Sequence, residues 1–122
     1  MQIVDANIIL RYLLKDIEEL HTKAVQILEN NPIHIPFEVI AEVVYVFEKL
    51  YQVPREEGKN SLLILLDYPN ISTLSMDVIY EALEIYHREN VDFVDSILIA
   101  YNHINEDIVY SFDKKLNTLL NN

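Results

Sequence analysis

The chain contains no cysteine and no tryptophan, and only one of its 122 residues is a glycine. Without cysteine it can form neither disulfides nor thiolate metal sites, so a bound metal would need oxygen or nitrogen ligands. Basic residues are also scarce, since 9 lysines and arginines stand against 20 acids and give a net charge of −11. This imbalance argues against broad neutralisation of nucleic-acid phosphates, although an acidic pocket can still engage a phosphate through a bound cation.

Long apolar runs are absent as well. No segment is long enough to cross a bilayer, and the first residues lack the basic region of a signal peptide, so we expect a cytoplasmic protein. Hydrophobic residues still make up 51% of the chain, which is enough for a buried core. The length suits one domain, and no linker, low-complexity tract or repeat interrupts it. We therefore predict a single domain over residues 1–122.

Short apolar segments alternate with longer segments of helical periodicity. The predicted strands cover residues 2–4, 33–35, 71–74 and 108–111, and the predicted helices cover residues 7–15, 18–30, 36–51, 55–67, 76–89, 93–104 and 114–120. Strands this short and apolar are typical of a buried, parallel sheet with helices on both faces. We therefore predict an α/β fold, a three-layer α/β/α sandwich with a short, mostly parallel sheet.

Two acids, Asp92 and Asp95, stand three residues apart at the start of a predicted helix. A helix start has unpaired backbone N–H groups, so Asp92 at the N-cap and Asp95 in the first turn resemble a capping box built from aspartates. The alternative is that one or both bind a divalent cation. Taken alone, the pair favours capping.

Three further acids change that balance. Asp5 follows the first predicted strand and Asp113 follows the last, so both lie at the carboxyl edge of the sheet if those strands are parallel. Glu42 lies in an otherwise apolar part of its helix. Clustered carboxylates repel one another and are costly to bury without a counter-charge. Ligands that are all oxygen suit a hard cation such as Mg²⁺ or Mn²⁺.

Four segments carry these acids in order along the chain. They are Ile3-Val4-Asp5-Ala6-Asn7-Ile8-Ile9-Leu10, Glu38-Val39-Ile40-Ala41-Glu42-Val43, Asp92-Phe93-Val94-Asp95-Ser96-Ile97-Leu98-Ile99-Ala100 and Ser111-Phe112-Asp113-Lys114-Lys115-Leu116. Together they resemble PIN-domain ribonucleases of the VapC toxin type over essentially the whole chain. The resemblance implies a catalytic carboxylate cluster that holds Mg²⁺ or Mn²⁺, formed by Asp5, Glu42, Asp95 and Asp113. It also implies Ser111 and Asn7 as polar neighbours of that cluster. Asp95 is thus predicted as a ligand, whereas Asp92 is predicted to keep the N-cap, with a place beside the cluster as the alternative.

The resemblance further implies a metal-dependent endoribonuclease in which a metal-activated water attacks an RNA phosphodiester. It suggests the toxin of a toxin–antitoxin pair, with a cognate antitoxin as partner, and a homodimer for which exposed aliphatic positions in residues 55–67 are a candidate surface. Four bases flank Asp5 and Asp113 and are candidate RNA contacts, unless they are ordinary solvated charges. These bases are Arg11, Lys15, Lys114 and Lys115.

Other functions fit the sequence less well. A phospho-aspartate receiver domain has a similar length and acidic pocket, but it needs two adjacent acids after the first strand and an aspartate at the end of the third. Here only Asp5 follows the first strand, and residues 71–74 end without an acid. A free-standing RNA-processing nuclease and a non-catalytic PIN-like binding module remain as alternatives, and the presence of all four acids disfavours the second.

Overall fold

The computed structural model describes all residues from 1 to 122, which divide into two compact units, residues 1–74 and 75–122. The first unit contains β1 (Gln2–Ile3), α1 (Ala6–Leu14), α2 (Glu18–Asn30), β2 (Ile33–His34), α3 (Phe37–Lys49), α4 (Arg55–Leu66) and β3 (Ile71–Ser72). The second unit contains α5 (Met76–Arg88), α6 (Phe93–Asn105) and α7 (Lys114–Leu119). All seven predicted helices are present, and each begins and ends within two residues of its predicted bounds.

The first unit holds a parallel sheet of three strands in the order β1-β2-β3. In the register of this sheet, Ile33 of β2 is aligned with Gln2 on one side and with Ile71 on the other. Parallel pairing places the carboxyl ends of all three strands at the same edge of the sheet. The predicted α/β class with a short parallel sheet is confirmed.

The first strand differs from the prediction in its exposure. Both residues of β1 are exposed, and Ile3 retains 58% of its accessible surface. The expectation of a buried first strand is therefore wrong, because β1 lies at the edge of the sheet and has only one neighbouring strand. Val4, which follows β1 directly, is buried and contributes its apolar side chain to the core.

The predicted fourth strand is also wrong. Residues 108–111 pair with no strand, and Tyr110 is 91% exposed. The Asn122 side chain bonds the backbone of this segment instead, with its Oδ1 accepting from Val109 N at 3.2 Å and its Nδ2 donating to Val109 O at 2.9 Å. The alternating apolar pattern suits a strand, but a strand also needs a neighbouring strand to pair with. Here the Asn122 side-chain amide makes the backbone hydrogen bonds that a neighbouring strand would make.

The second unit is built on the packing of α5 against α6, with α7 contacting α6. Ile79 and Leu83 of α5 and Ile99 of α6 are fully buried. Asn102 is also buried, and its amide joins two chain segments because Nδ2 donates to Asp107 O at 2.9 Å while Oδ1 accepts from the backbone N–H of residue 121 at 2.7 Å. None of the seven helices has both the length and the apolar character needed to span a membrane.

Candidate metal centre

Asp5 stands where β1 gives way to α1. It is the N-cap of α1, and its Oδ1 accepts a hydrogen bond from the backbone N–H of Ile8 at 3.2 Å. This bond satisfies one of the unpaired N–H groups at the helix start. The other oxygen, Oδ2, accepts no hydrogen bond, and the residue is exposed. Asp5 therefore follows the first strand, as predicted, with Val4 between them, and it also caps a helix.

Asp5 shares an open cavity of about 410 Å³ with one face of α3. The cavity is lined by Asp5, Ala6, Asn7, Glu38, Val39 and Glu42. Glu38 and Glu42 are one helical turn apart and therefore project from the same side of α3. Three acids and no base line this cavity, so its electrostatic potential is negative.

The structure thus brings together two predicted ligands, Asp5 and Glu42, and the predicted neighbour Asn7. It adds Glu38, which sequence analysis did not select. The signal for Glu38 was present, because an acid four residues before Glu42 on a helix lies on the same face.

Asp113 is the N-cap of α7. Its Oδ1 accepts from the backbone N–H of Leu116 at 2.9 Å, and its own backbone N–H donates to Ser111 Oγ at 3.0 Å. Ser111, predicted as a polar neighbour, therefore holds the backbone of Asp113. The expectation that Asp113 ends a strand at the sheet edge is wrong, because the segment before it forms no strand.

Asp92 occupies the N-cap position of α6 with an extended backbone, but its side chain makes no capping hydrogen bond. The helix start is held through the Asp92 carbonyl oxygen, which accepts from Ser96 N at 2.9 Å and from Ser96 Oγ at 3.1 Å. The predicted capping role of the Asp92 carboxylate is therefore wrong. The Asp92 carboxylate is exposed, and its negative charge affects the neighbouring carboxyl of Asp95.

Asp95, in the first turn of α6, is half-buried and lies close to other acids. Burial raises the pKa of its carboxyl above the ordinary value, and the negative charges of Asp92 and Asp113 raise it further. All three causes act in the same direction. Carboxylates held together in this way are a recognised sign of a functional site, and a divalent cation would relieve their repulsion.

The predicted acids therefore form two sets, Asp5 with Glu42 in the first unit and Asp95 with Asp92 and Asp113 in the second. As the side chains stand, no group of three or more histidine, aspartate or glutamate residues is arranged to hold a metal ion. The four-carboxylate cluster stays a prediction. The chemistry of each set fits Mg²⁺, which accepts oxygen ligands only and is commonly bound through one or two carboxylates while it keeps several waters.

The four candidate RNA contacts differ in their availability. The Arg11 side chain is only 11% exposed, since its guanidinium contacts Asp16 at 2.8 Å and the Tyr51 hydroxyl at 3.2 Å. RNA contact by Arg11 would require breaking these bonds. The lysines Lys15, Lys114 and Lys115 are exposed. All four contacts stay predictions.

Comparison with known families identifies the family of this chain. A family model described as the PIN domain matches residues 3–119, which is nearly the entire chain. The chain belongs to the PIN domain family. PIN domains are typically nucleases, and they generally use divalent metal ions. The family predicted from the four acidic segments is confirmed, and the narrower VapC toxin type stays a prediction. No curated protein matches this PIN domain.

Proposed function

We propose that this PIN domain is a metal-dependent endoribonuclease and serves as the toxin of a toxin–antitoxin pair. The observation that carries the proposal is the position of Asp95 beside Asp92 and Asp113, where burial, and then the negative charges of these two residues, raise the pKa of its carboxyl. A protein that keeps carboxylates together against their mutual repulsion gains stability when a cation binds them. Membership of a family of nucleases supports hydrolysis of a phosphodiester as the use of that cation.

The residues that would hold Mg²⁺ or Mn²⁺ are Asp5, Glu42, Asp95 and Asp113. When bound, the ion would supply Lewis-acid stabilisation of the phosphate and a lowered pKa for the attacking water. The protein residues supply orientation. Asp5 and Asp113 each have one carboxylate oxygen fixed by a helix N-cap, so these two side chains are already ordered before any ion arrives.

The negative charge of the site has a second consequence. Three acids line the cavity at Asp5, and they would repel an RNA phosphate in the absence of a cation. Binding of RNA at the acids therefore depends on prior or simultaneous binding of the ion. The exposed lysines Lys114 and Lys115, which follow Asp113 directly, are the bases proposed to contact phosphates beside it.

The proposal is tested by RNA cleavage with Mg²⁺ or Mn²⁺, comparing the parent with Asp5→Asn and Asp95→Asn. Since removal of a group that merely supports a metal ligand costs roughly 10–100-fold, loss of a ligand should reduce cleavage by at least about 100-fold. Asp77→Asn is the matched control, because Asp77 is an exposed acid in the first turn of α5 and should be silent. Equal cleavage by all four proteins would contradict the proposal, as would inactivity of the parent together with failure to bind Mn²⁺ in calorimetry.

The toxin role is tested separately from catalysis. Expression of the parent should arrest growth of the host cell, the Asp95→Asn variant should not, and co-expression of the proposed cognate antitoxin should restore growth. Cleavage in vitro without growth arrest would favour the alternative, a free-standing RNA-processing nuclease. Metal and RNA binding without cleavage would favour a non-catalytic binding module.

We also propose a homodimer, and Ile64 of α4, which is 64% exposed, supports residues 55–67 as its surface. Light scattering over a range of concentrations should give twice the chain mass for the parent. Ile64→Lys should shift the protein toward the monomer. A monomeric parent at all concentrations would contradict this part of the proposal.

A further inference from the structure

A second polar cavity lies in the first unit, away from Asp5. It is formed by α1, α2 and α4 with the turn that follows α4, and its volume is about 270 Å³. The lining residues are Tyr12, Leu13, Lys15, His21, Val25, Glu29, Ser61, Ile64 and Tyr68. Tyr12 lies seven residues beyond Asp5 on α1, which corresponds to about 10 Å along the helix axis. This cavity is therefore distinct from the one lined by the proposed metal ligands.

A directed chain of hydrogen bonds runs through the cavity. The buried Tyr12 hydroxyl donates to Glu29 Oε2 at 2.6 Å and lies 2.8 Å from the Tyr68 hydroxyl. Since Tyr12 has one hydroxyl proton and gives it to the carboxylate, Tyr68 must donate to Tyr12. Burial, followed by the hydrogen bonds to Glu29 and Tyr68, raises the pKa of the Tyr12 hydroxyl and keeps it a donor.

These hydrogen bonds leave one oxygen of the Glu29 carboxylate unused. Glu29 Oε1 accepts no hydrogen bond, and Glu29 is exposed. His21 Nδ1 lies 3.2 Å from the Arg11 carbonyl oxygen, which can only accept, so Nδ1 is the donor in this contact. The Tyr68 ring is half-buried and meets the Tyr12 ring edge-on, with 6.5 Å between the ring centres. The cavity thus offers a carboxylate oxygen and an aromatic ring to a ligand.

A guanidinium group matches these features better than other ligands. It is a planar cation with five N–H donors, it pairs with carboxylates, and it stacks on aromatic rings. Small-molecule sites usually enclose roughly 300–1,000 Å³, so a cavity of about 270 Å³ suits one long side chain rather than a larger free ligand. The net charge of −11 favours a basic polypeptide as the source of that side chain.

We propose that the cavity formed by Tyr12, Glu29 and Tyr68 binds an arginine side chain of a basic polypeptide partner. Glu29 Oε1 accepts from the guanidinium, and the Tyr68 ring stacks on its plane. The Tyr12 hydroxyl fixes the carboxylate through Oε2 and so leaves Oε1 directed to the ligand. Lys15 is the only lysine or arginine among the lining residues, and its positive charge repels the guanidinium.

The probe is a fluorescent peptide with arginines spaced by glycine and serine, and its affinity for the full chain is measured by anisotropy without divalent cations. Glu29→Gln should weaken binding at least about tenfold, as expected for loss of one charge-assisted hydrogen bond, while Gln still accepts from Tyr12 and keeps the fold. Glu18→Gln is the matched control, since it removes the same charge from an exposed position on the same helix and should have little effect. Lys15→Gln should tighten binding.

Tyr68→Leu, which removes the aromatic ring, provides an independent test and should weaken binding several-fold. A peptide with citrulline in place of arginine should bind at least about tenfold more weakly, because it keeps the shape and loses the charge. The proposal is overturned if the parent does not bind the arginine peptide, if Glu29→Gln and Glu18→Gln weaken it equally, or if the citrulline peptide binds as well. Ile64 lines this cavity and also lies on the surface proposed for the homodimer, so the peptide should compete with dimer formation, and its affinity is measured at protein concentrations at which light scattering gives the mass of one chain.

Discussion

Asp113 has one role that is observed and one that is proposed, and substitution can separate them. The observed role is the N-cap of α7, through the 2.9 Å hydrogen bond from Leu116 N to Oδ1. The proposed role is to bind a cation. Asparagine caps a helix about as well as aspartate does, because its amide oxygen accepts the same bond, but it lacks the charge. Alanine lacks both.

The contribution of the Asp113 cap to stability follows from comparing the two variants with each other. Both lose the charge that repels Asp95, so that contribution cancels, and the difference between Asp113→Asn and Asp113→Ala isolates the cap. An N-cap side chain is worth about 1 kcal/mol. For a chain of 122 residues, the entropy of unfolding converts this into a difference in Tm of about 4 °C. The helix being capped has only six residues, so it has few other hydrogen bonds to replace this one.

The assay combines thermal unfolding in EDTA with RNA cleavage in Mn²⁺. We expect Asp113→Asn to have a Tm at least equal to that of the parent while losing cleavage, and Asp113→Ala to lose cleavage and unfold at a lower temperature. If the two variants have the same Tm, the cap does not stabilise the protein. If Asp113→Asn cleaves RNA as the parent does, Asp113 is not a ligand. Either result would refute the corresponding part of the reasoning.

Three further predictions concern single residues. Asp92→Asn should keep substantial cleavage, because its carboxylate neither caps α6 nor belongs to the four proposed ligands; a loss equal to that of Asp95→Asn in the same assay would contradict this. Gly58→Ala should raise the free energy of unfolding by about 0.5–1 kcal/mol in urea, because alanine favours a helix and its Cβ would meet Phe47 Cδ2 at an acceptable 3.4 Å; a decrease would show that this contact is too tight. Asn102→Asp should lower the free energy of unfolding by at least about 2 kcal/mol, because a buried carboxylate cannot donate to the Asp107 carbonyl oxygen. Asn105→Asp, at an exposed position of the same helix, is the control and should change the free energy of unfolding little.

The helices were predictable because their signals are local. Apolar periodicity marked the length of each helix, and local residue type agrees with it at α5, because serine favours an N-cap and Ser75 Oγ accepts from Val78 N at 3.2 Å. The same kind of signal failed at Asp92, which holds the N-cap position without using its side chain. Position in sequence does not determine which way a carboxylate turns, because that depends on the surrounding charges and side chains.

Features that depend on distant parts of the chain were harder to predict. Residues 108–111 have the composition of a strand, but pairing requires a partner that the local pattern cannot supply, and Asn122, which bonds Val109 instead, lies 13 residues further on. The meeting of Asp5 with Glu42 was inferred from the resemblance. The bond between Tyr12 and Glu29 carried no sequence signal at all.

The side chain of Asn122 has a consequence for solubility. An extended apolar segment with unpaired backbone groups can adhere to the same segment of another molecule, which is how edge strands start aggregates. The amide of Asn122 occupies both the N–H and the C=O of Val109 and so blocks such pairing in the middle of the segment. Asn122→Ala would leave these groups open between the exposed side chains of Ile108 and Tyr110. The Asn122 side-chain amide therefore opposes self-association through this segment. For Asn122→Ala we expect the turbidity of a concentrated solution to increase before any helix content is lost.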